Sequence, residues 1–142
     1  MCSSDLRTAI ESALEQASYV GGRFDVRFDQ PSRWGAVISW FMNRRSRLTG
    51  IATGDQAIFV RRRVFEQMGG FPDIPLMEDI EFSRRLKRRG PTAALTDRVT
   101  TSFRRWEKNG PLRTILLMWT LRFLYWLGVS PARLNNFYRA IR

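Results

Sequence analysis

The stretch Arg23 to Asp29 restricts the fold more than any other, because Phe24, Val26 and Phe28 alternate with Arg23, Asp25, Arg27 and Asp29. Successive strand side chains point to opposite faces, so this period of two predicts a strand buried on one face. Gly21-Gly22 reads as the break before it and Pro31 as its end. Helical patterns lie on both sides. Leu6, Ile10, Ala13, Leu14 and Ala17 share one helical face, with Ser4 or Asp5 as N-cap, and Val37, Ile38, Phe41 and Met42 do the same between Trp34 and Leu48. A half-buried strand between amphipathic helices predicts an α/β fold.

The rest of the chain continues that alternation. Ala57 to Val60 is a short apolar run between glycine and arginines, which predicts a second strand. A compact helix over Arg62 to Met68 should stop at Gly69-Gly70, where a residue without Cβ can take the left-handed C-cap conformation. Phe71-Pro72 and Pro75 then form a loop. Glu78 to Arg89 reads as a helix with acids in its first turn and bases in its last, matching the macrodipole, with Gly90-Pro91 as its stop. Ala93 to Phe103 predicts one short strand, or two joined at Thr96-Asp97. Pro111 opens a helix over Leu112 to Leu127, Gly128 ends it, and Ser130-Pro131 begins a last short helix. With no repeat, low-complexity stretch or obvious linker, the chain reads as one unit.

Charge and composition narrow the chemistry. The 142 residues are 44% hydrophobic, enough for a core, and carry 24 Lys and Arg against 13 Asp and Glu, a net +11 with no histidine. That charge cannot be switched off near neutral pH, so expected partners are anionic: phosphates, nucleic acid or an acidic membrane surface. Nearly all of it is arginine, whose planar fork suits bidentate phosphate contacts, although solvated basic faces have the same composition. The single cysteine, Cys2, excludes an internal disulfide and leaves no Cys/His zinc cluster, which fits a reducing cytoplasmic setting. The N-terminus lacks a secretory pattern. Without histidine there is no Ser-His-Asp or Cys-His chemistry, so catalysis must rest on carboxylates, arginines or a metal.

Four features could carry that chemistry. Asp79, Phe82 and Leu86 share a helix face, so Asp79 caps its buried side, and a carboxylate there beside Glu78 and Glu81 can have the raised pKa of a general base. Acids at a helix N-terminus also stabilise the helix without any further role. Gly54-Asp55-Gln56 places an acid and an amide beside a glycine at the mouth of a strand, where sugar hydroxyls could be bound or an ordinary turn could stand. Arg104-Arg105-Trp106 joins two guanidinium forks to an indole, suited to clamping phosphate or stacking on a sugar, or to anchoring a solvated turn. The final long helix is rich in aromatic and aliphatic residues but is interrupted by Arg122 and is shorter than the ~20 apolar residues a membrane span requires. It suits either an interfacial helix among anionic headgroups or a buried core helix.

The order Gly54-Asp55-Gln56-Ala57-Ile58-Phe59-Val60-Arg61-Arg62, Gly69-Gly70-Phe71, Met77-Glu78-Asp79-Ile80-Glu81 and Arg84-Arg85-Leu86 resembles the later part of the family-2 glycosyltransferases. The wording Ile-Pro-Leu-Met-Glu-Asp, Arg-Arg-Trp-Glu and Gly-Val-Ser-Pro is similar to a bacterial subgroup associated with radical-SAM and selenium-domain genes. The resemblance implies the C-terminal portion of a GT-A fold, a Rossmann-like nucleotide-sugar transferase fold. Residues 1–110 would form its acceptor and catalytic-base half, while 111–142, read from their own residues, are amphipathic helices suited to associating with a membrane. It also implies that Asp79 is the base with Glu78 its neighbour and that Gly54, Asp55 and Gln56 contact the acceptor; by their own chemistry Arg104 and Arg105 are then the candidates for diphosphate contact and Trp106 for lining the acceptor cleft. A nucleotide-sugar donor and a divalent metal, Mg or Mn, held by Asp-x-Asp, are expected in the full-length relatives. That motif and the nucleotide-binding half are absent here, since Ser3-Ser4-Asp5 is not Asp-x-Asp, and Met1 to Leu6 reads as a truncation junction. The chain alone is therefore expected to be inactive, cytoplasmic and peripheral at the inner face of the membrane. A nucleic-acid-binding module or a non-catalytic peripheral membrane protein is the alternative, although no helix reads as a recognition helix and a nucleic-acid partner is not expected.

Overall fold

The computed structural model describes residues 3–16 and 18–141, so Cys2 and Ala17 lie outside the described residues. In chain order the elements are α1 (Ser3–Glu15), β1 (Gly21–Phe28), α2 (Arg33–Thr49), a 3-10 turn (Gly54–Gln56), β2 (Phe59–Val60), α3 (Arg62–Met68), α4 (Glu78–Arg89), β3 (Thr92–Thr101), α5 (Arg104–Asn109), α6 (Pro111–Trp126) and α7 (Pro131–Ile141). The expected α/β class holds: the strands form a small mixed sheet in the order β2-β1-β3, with β1 antiparallel to β2 and parallel to β3.

Backbone contacts divide the chain into two compact units, Met1–Pro72 with Asp79–Ser102, and Asp73–Glu78 with Phe103–Arg142. The sheet and α1 to α4 make up the first, apart from Glu78 at the start of α4. On one face of the sheet, Phe24, Phe59 and Ala93 pack with Ala13, surrounded by Leu6, Ile10 and Leu14 of α1. This is the apolar face that the alternation predicts.

The opposite face of β1 departs from the expectation. Instead of facing water, all residues from Gly21 to Val26 are buried, including Arg23 and Asp25. The cause is position: β1 is the central strand, and α2 lies against it. Burying charge is tolerable only when it is paired. Asp25 accepts from Arg23 Nη1 at 2.5 Å and from Arg47 Nη2 at 2.6 Å. Asn43 of α2 completes the seam by accepting from Val26 N at 2.8 Å and donating to Val26 O at 3.0 Å.

Gly21-Gly22 is likewise part of β1 and not a break before it. A Cβ on Gly21 would sit 2.5 Å from Phe59 O, and one on Gly22 would sit 2.5 Å from Ala93 O, so the neighbouring strands approach too closely for any side chain. β3 is one continuous strand. Its pairing shifts from Arg23↔Ala94 to Asp25↔Arg98, so β3 holds extra residues around the expected Thr96-Asp97 joint, which is a bulge. Helix α1 begins at Ser3, earlier than expected, which puts Ser4 and Asp5 inside the helix.

In the second unit, α6 packs with α5 and α7, and Phe103, Thr114, Leu121 and Leu134 are buried. Arg104-Arg105-Trp106 is the first turn of α5 and not a turn between elements. Among the described residues, no helix is long and apolar enough to cross a membrane.

Candidate active site

Asp79 stands in the first turn of α4, and the elements around it explain its position. Gly69 and Gly70 both have positive φ, 75° and 76°, and close α3 through Gly69 N to Glu66 O and Gly70 N to Phe65 O. The reversal lays Phe71 on Phe82 of α4, with ring centroids 4.2 Å apart and an interplanar angle of 21°, and Phe65 touches both rings. Phe82 and Leu86 anchor the buried side of α4. Ser83 joins α4 to the segment before the 3-10 turn, accepting from Ala52 N at 3.1 Å and donating to Ala52 O at 3.2 Å.

That link brings Asp79 beside Gly54, 25 positions earlier. Asp79 Oδ2 accepts from Gly54 N at 3.0 Å, and its Oδ1 accepts from Ile80 N at 2.8 Å. Two backbone N–H donors, one from each of two segments, thus orient the carboxylate. Asp79 is half-buried, and Gly54 and Asp55 beside it are exposed. Among the described residues, the non-glycine residues with positive φ are Ala57 at 47° and Met77 at 67°. One follows the 3-10 turn and the other directly precedes α4. Backbone held in a sparsely populated region is a common accompaniment of functional sites.

The basic stretch of α2 does not act as a single cluster of cations. Arg44 lies over the Trp40 ring at 5.7 Å, Arg47 binds Asp25, and Ser46 is buried. Arg45 turns inward, and its Nε and Nη2 are buried without a hydrogen-bond partner among the described residues. Burial holds this guanidinium below its ordinary pKa, the charge of Asp79 acts in the opposite direction, and Arg23 adds to the lowering. Arg23 itself is lowered by burial, against the pull of its bond to Asp25. No sequence motif points to Arg45. Its spacing from Ile38 and Met42, seven and three residues, is the signal that places it on the buried side of α2.

The other sequence-predicted residues fall in different settings. Gln56 is 0% exposed, and its amide is engaged internally: Oε1 accepts from Thr53 N at 3.3 Å and Nε2 donates to Ser46 Oγ at 3.0 Å. It braces the loop that carries Gly54 and does not face an acceptor. Glu78 is exposed. Glu81 pairs with Arg85 at 3.2 Å and Arg84 at 3.9 Å, and the charge of Asp79 acts on the cation Arg45. Arg104, Arg105 and Trp106 belong to the second unit, where Arg105 Nη2 donates to Tyr138 Oη at 3.0 Å. Among the described residues, no group of three or more Cys, Asp or Glu side chains could hold a metal ion. Comparisons with protein-family models, with curated proteins and with solved structures found no match to this chain.

Proposed function

We propose that this chain is the acceptor-side, catalytic-base portion of an inverting glycosyltransferase that uses a nucleotide-sugar donor. The observation that carries the reading is the bond between Asp79 and Gly54, which unites the two segments whose sequences resemble those enzymes. Asp79 accepts the proton of an acceptor hydroxyl while that oxygen attacks the anomeric carbon. The bond from that carbon to the nucleoside diphosphate breaks, and the diphosphate departs with the electron pair. Gly54 N and Ile80 N fix the carboxylate. Exposed Asp55 is the remaining candidate from this loop for a hydroxyl contact.

Donor binding in this reading belongs to a nucleotide-binding half that the chain's own residues do not supply. The 142-residue chain alone should then transfer sugar negligibly, because the donor is not positioned. The test joins the chain to the nucleotide-binding half of a family-2 enzyme and offers a panel of nucleotide sugars and hydroxyl acceptors. Transfer with an inverted anomeric centre, read by NMR, is expected. A retained centre, or robust turnover by the isolated chain, contradicts the reading.

A further inference from the structure

The outer face of α6 is apolar and largely exposed. Leu112, Leu116, Trp119, Phe123 and Trp126 recur at intervals of four and three, and each is between 57% and 72% exposed. At about 100° per residue these five side chains form one stripe along the 16-residue helix. The opposite side carries the buried Thr114 and Leu121. The helix is thus apolar on two sides, and the second unit covers only one of them. By the same rotation, Arg113 and Arg122 project about 80–100° to either side of the stripe, so a cation borders it on each flank.

We infer that this stripe docks α6 into the surface of an anionic lipid bilayer, lying in the interface without crossing it. Three observations select this occupant. At about 1.5 Å per residue, α6 is shorter than the ~30 Å hydrocarbon core, and no described helix qualifies as a span. Aromatic rings bordered by arginines are the composition of interfacial helices, whose apolar side sinks to the acyl boundary while cations remain among the headgroups. From Phe103 to Arg142 the chain has eight Lys or Arg against the single acid Glu107. Pairing this face with a second copy would set one strongly positive surface against another, whereas phosphate headgroups complement it. Arg133 and Arg139 of α7, both exposed, belong to the same basic unit. This inference is independent of the transferase reading.

The test is co-sedimentation of the 142-residue chain with vesicles of phosphatidylcholine alone and of phosphatidylcholine mixed with phosphatidylglycerol, at low and high salt. Binding should be at least about tenfold stronger to the anionic vesicles and should weaken with salt. The triple variant Trp119→Ser, Phe123→Ser, Trp126→Ser should lose at least about a hundredfold while keeping the wild-type circular dichroism, since its positions are exposed. Changing Trp34, Trp40 and Phe41, the exposed aromatics of α2, to serine should leave vesicle binding unchanged. No preference for anionic vesicles, or equal binding by the α6 variant, overturns the inference. So does loss of binding only in the α2 variant. Dimerisation that the α6 variant abolishes, without vesicle binding, would assign the stripe to a second copy. Retention on single-stranded nucleic acid alone would assign the charge elsewhere.

Discussion

Asp79, Arg45, Gln56 and Asp25 are four polar residues within one buried or half-buried neighbourhood, and the helix or strand period decides which of them a sequence reveals. Asp79 is legible because it stands a helical interval before Phe82 and Leu86, at the edge of a face that is plainly apolar. Gln56 is not, because a Gly-Asp-Gln turn says nothing about which way its amide points. Replacing it with leucine strips the partner from buried Thr53 N and should cost about 1–3 kcal/mol in urea unfolding. Asp25 is the acid between Arg23 and Arg47, and Asp25→Asn leaves the buried Arg23 guanidinium without its counter-charge. The expected loss is about 3 kcal/mol, read from the same unfolding curves. Arg45 should behave oppositely. Its buried Nε and Nη2 hold no hydrogen bond among the described residues, so Arg45→Met should leave stability unchanged or raise it by about 1 kcal/mol. A loss of more than about 2 kcal/mol would show that Arg45 supports the fold instead of the site.

Among elements, helices with strong punctuation are the most legible. Helix α3 ends where Gly69-Gly70 says it must, and α4 runs from Glu78 to Arg89 as its charge order and Gly90-Pro91 indicate. The strands are read less well, because an alternating pattern reports side-chain chemistry and not which faces other elements cover. α2 covers the polar face of β1, and that coverage depends on long-range packing that a local pattern cannot express. Glycine at a strand start is ambiguous for a similar reason: Gly21-Gly22 has the composition of a turn but serves the close approach of β2 and β3. Gly22→Ala should therefore push against Ala93 O and the Phe59 ring and lower stability by about 1–3 kcal/mol, measurable as a lower melting temperature. An unchanged melting temperature would mean that the strands separate more easily than their packing indicates.

For the molecule as a whole, a net charge of +11 and a lack of histidine bound the chemistry, but neither identifies a partner. The division after Ser102 groups α5 with the C-terminal helices, so Arg104, Arg105 and Trp106 belong with the basic unit that presents α6. Each unit carries one proposal: a carboxylate base at the start of α4 in the first, and an interfacial helix in the second. The first is the central claim. With the nucleotide-binding half joined to the chain, sugar transfer by Asp79→Asn is compared with wild type at saturating donor and acceptor. The isosteric amide keeps the shape of the site and removes the base, so kcat should fall by about 10²–10⁴ while donor binding and the melting temperature stay close to wild type. Undiminished kcat would contradict the assignment of Asp79 as the base.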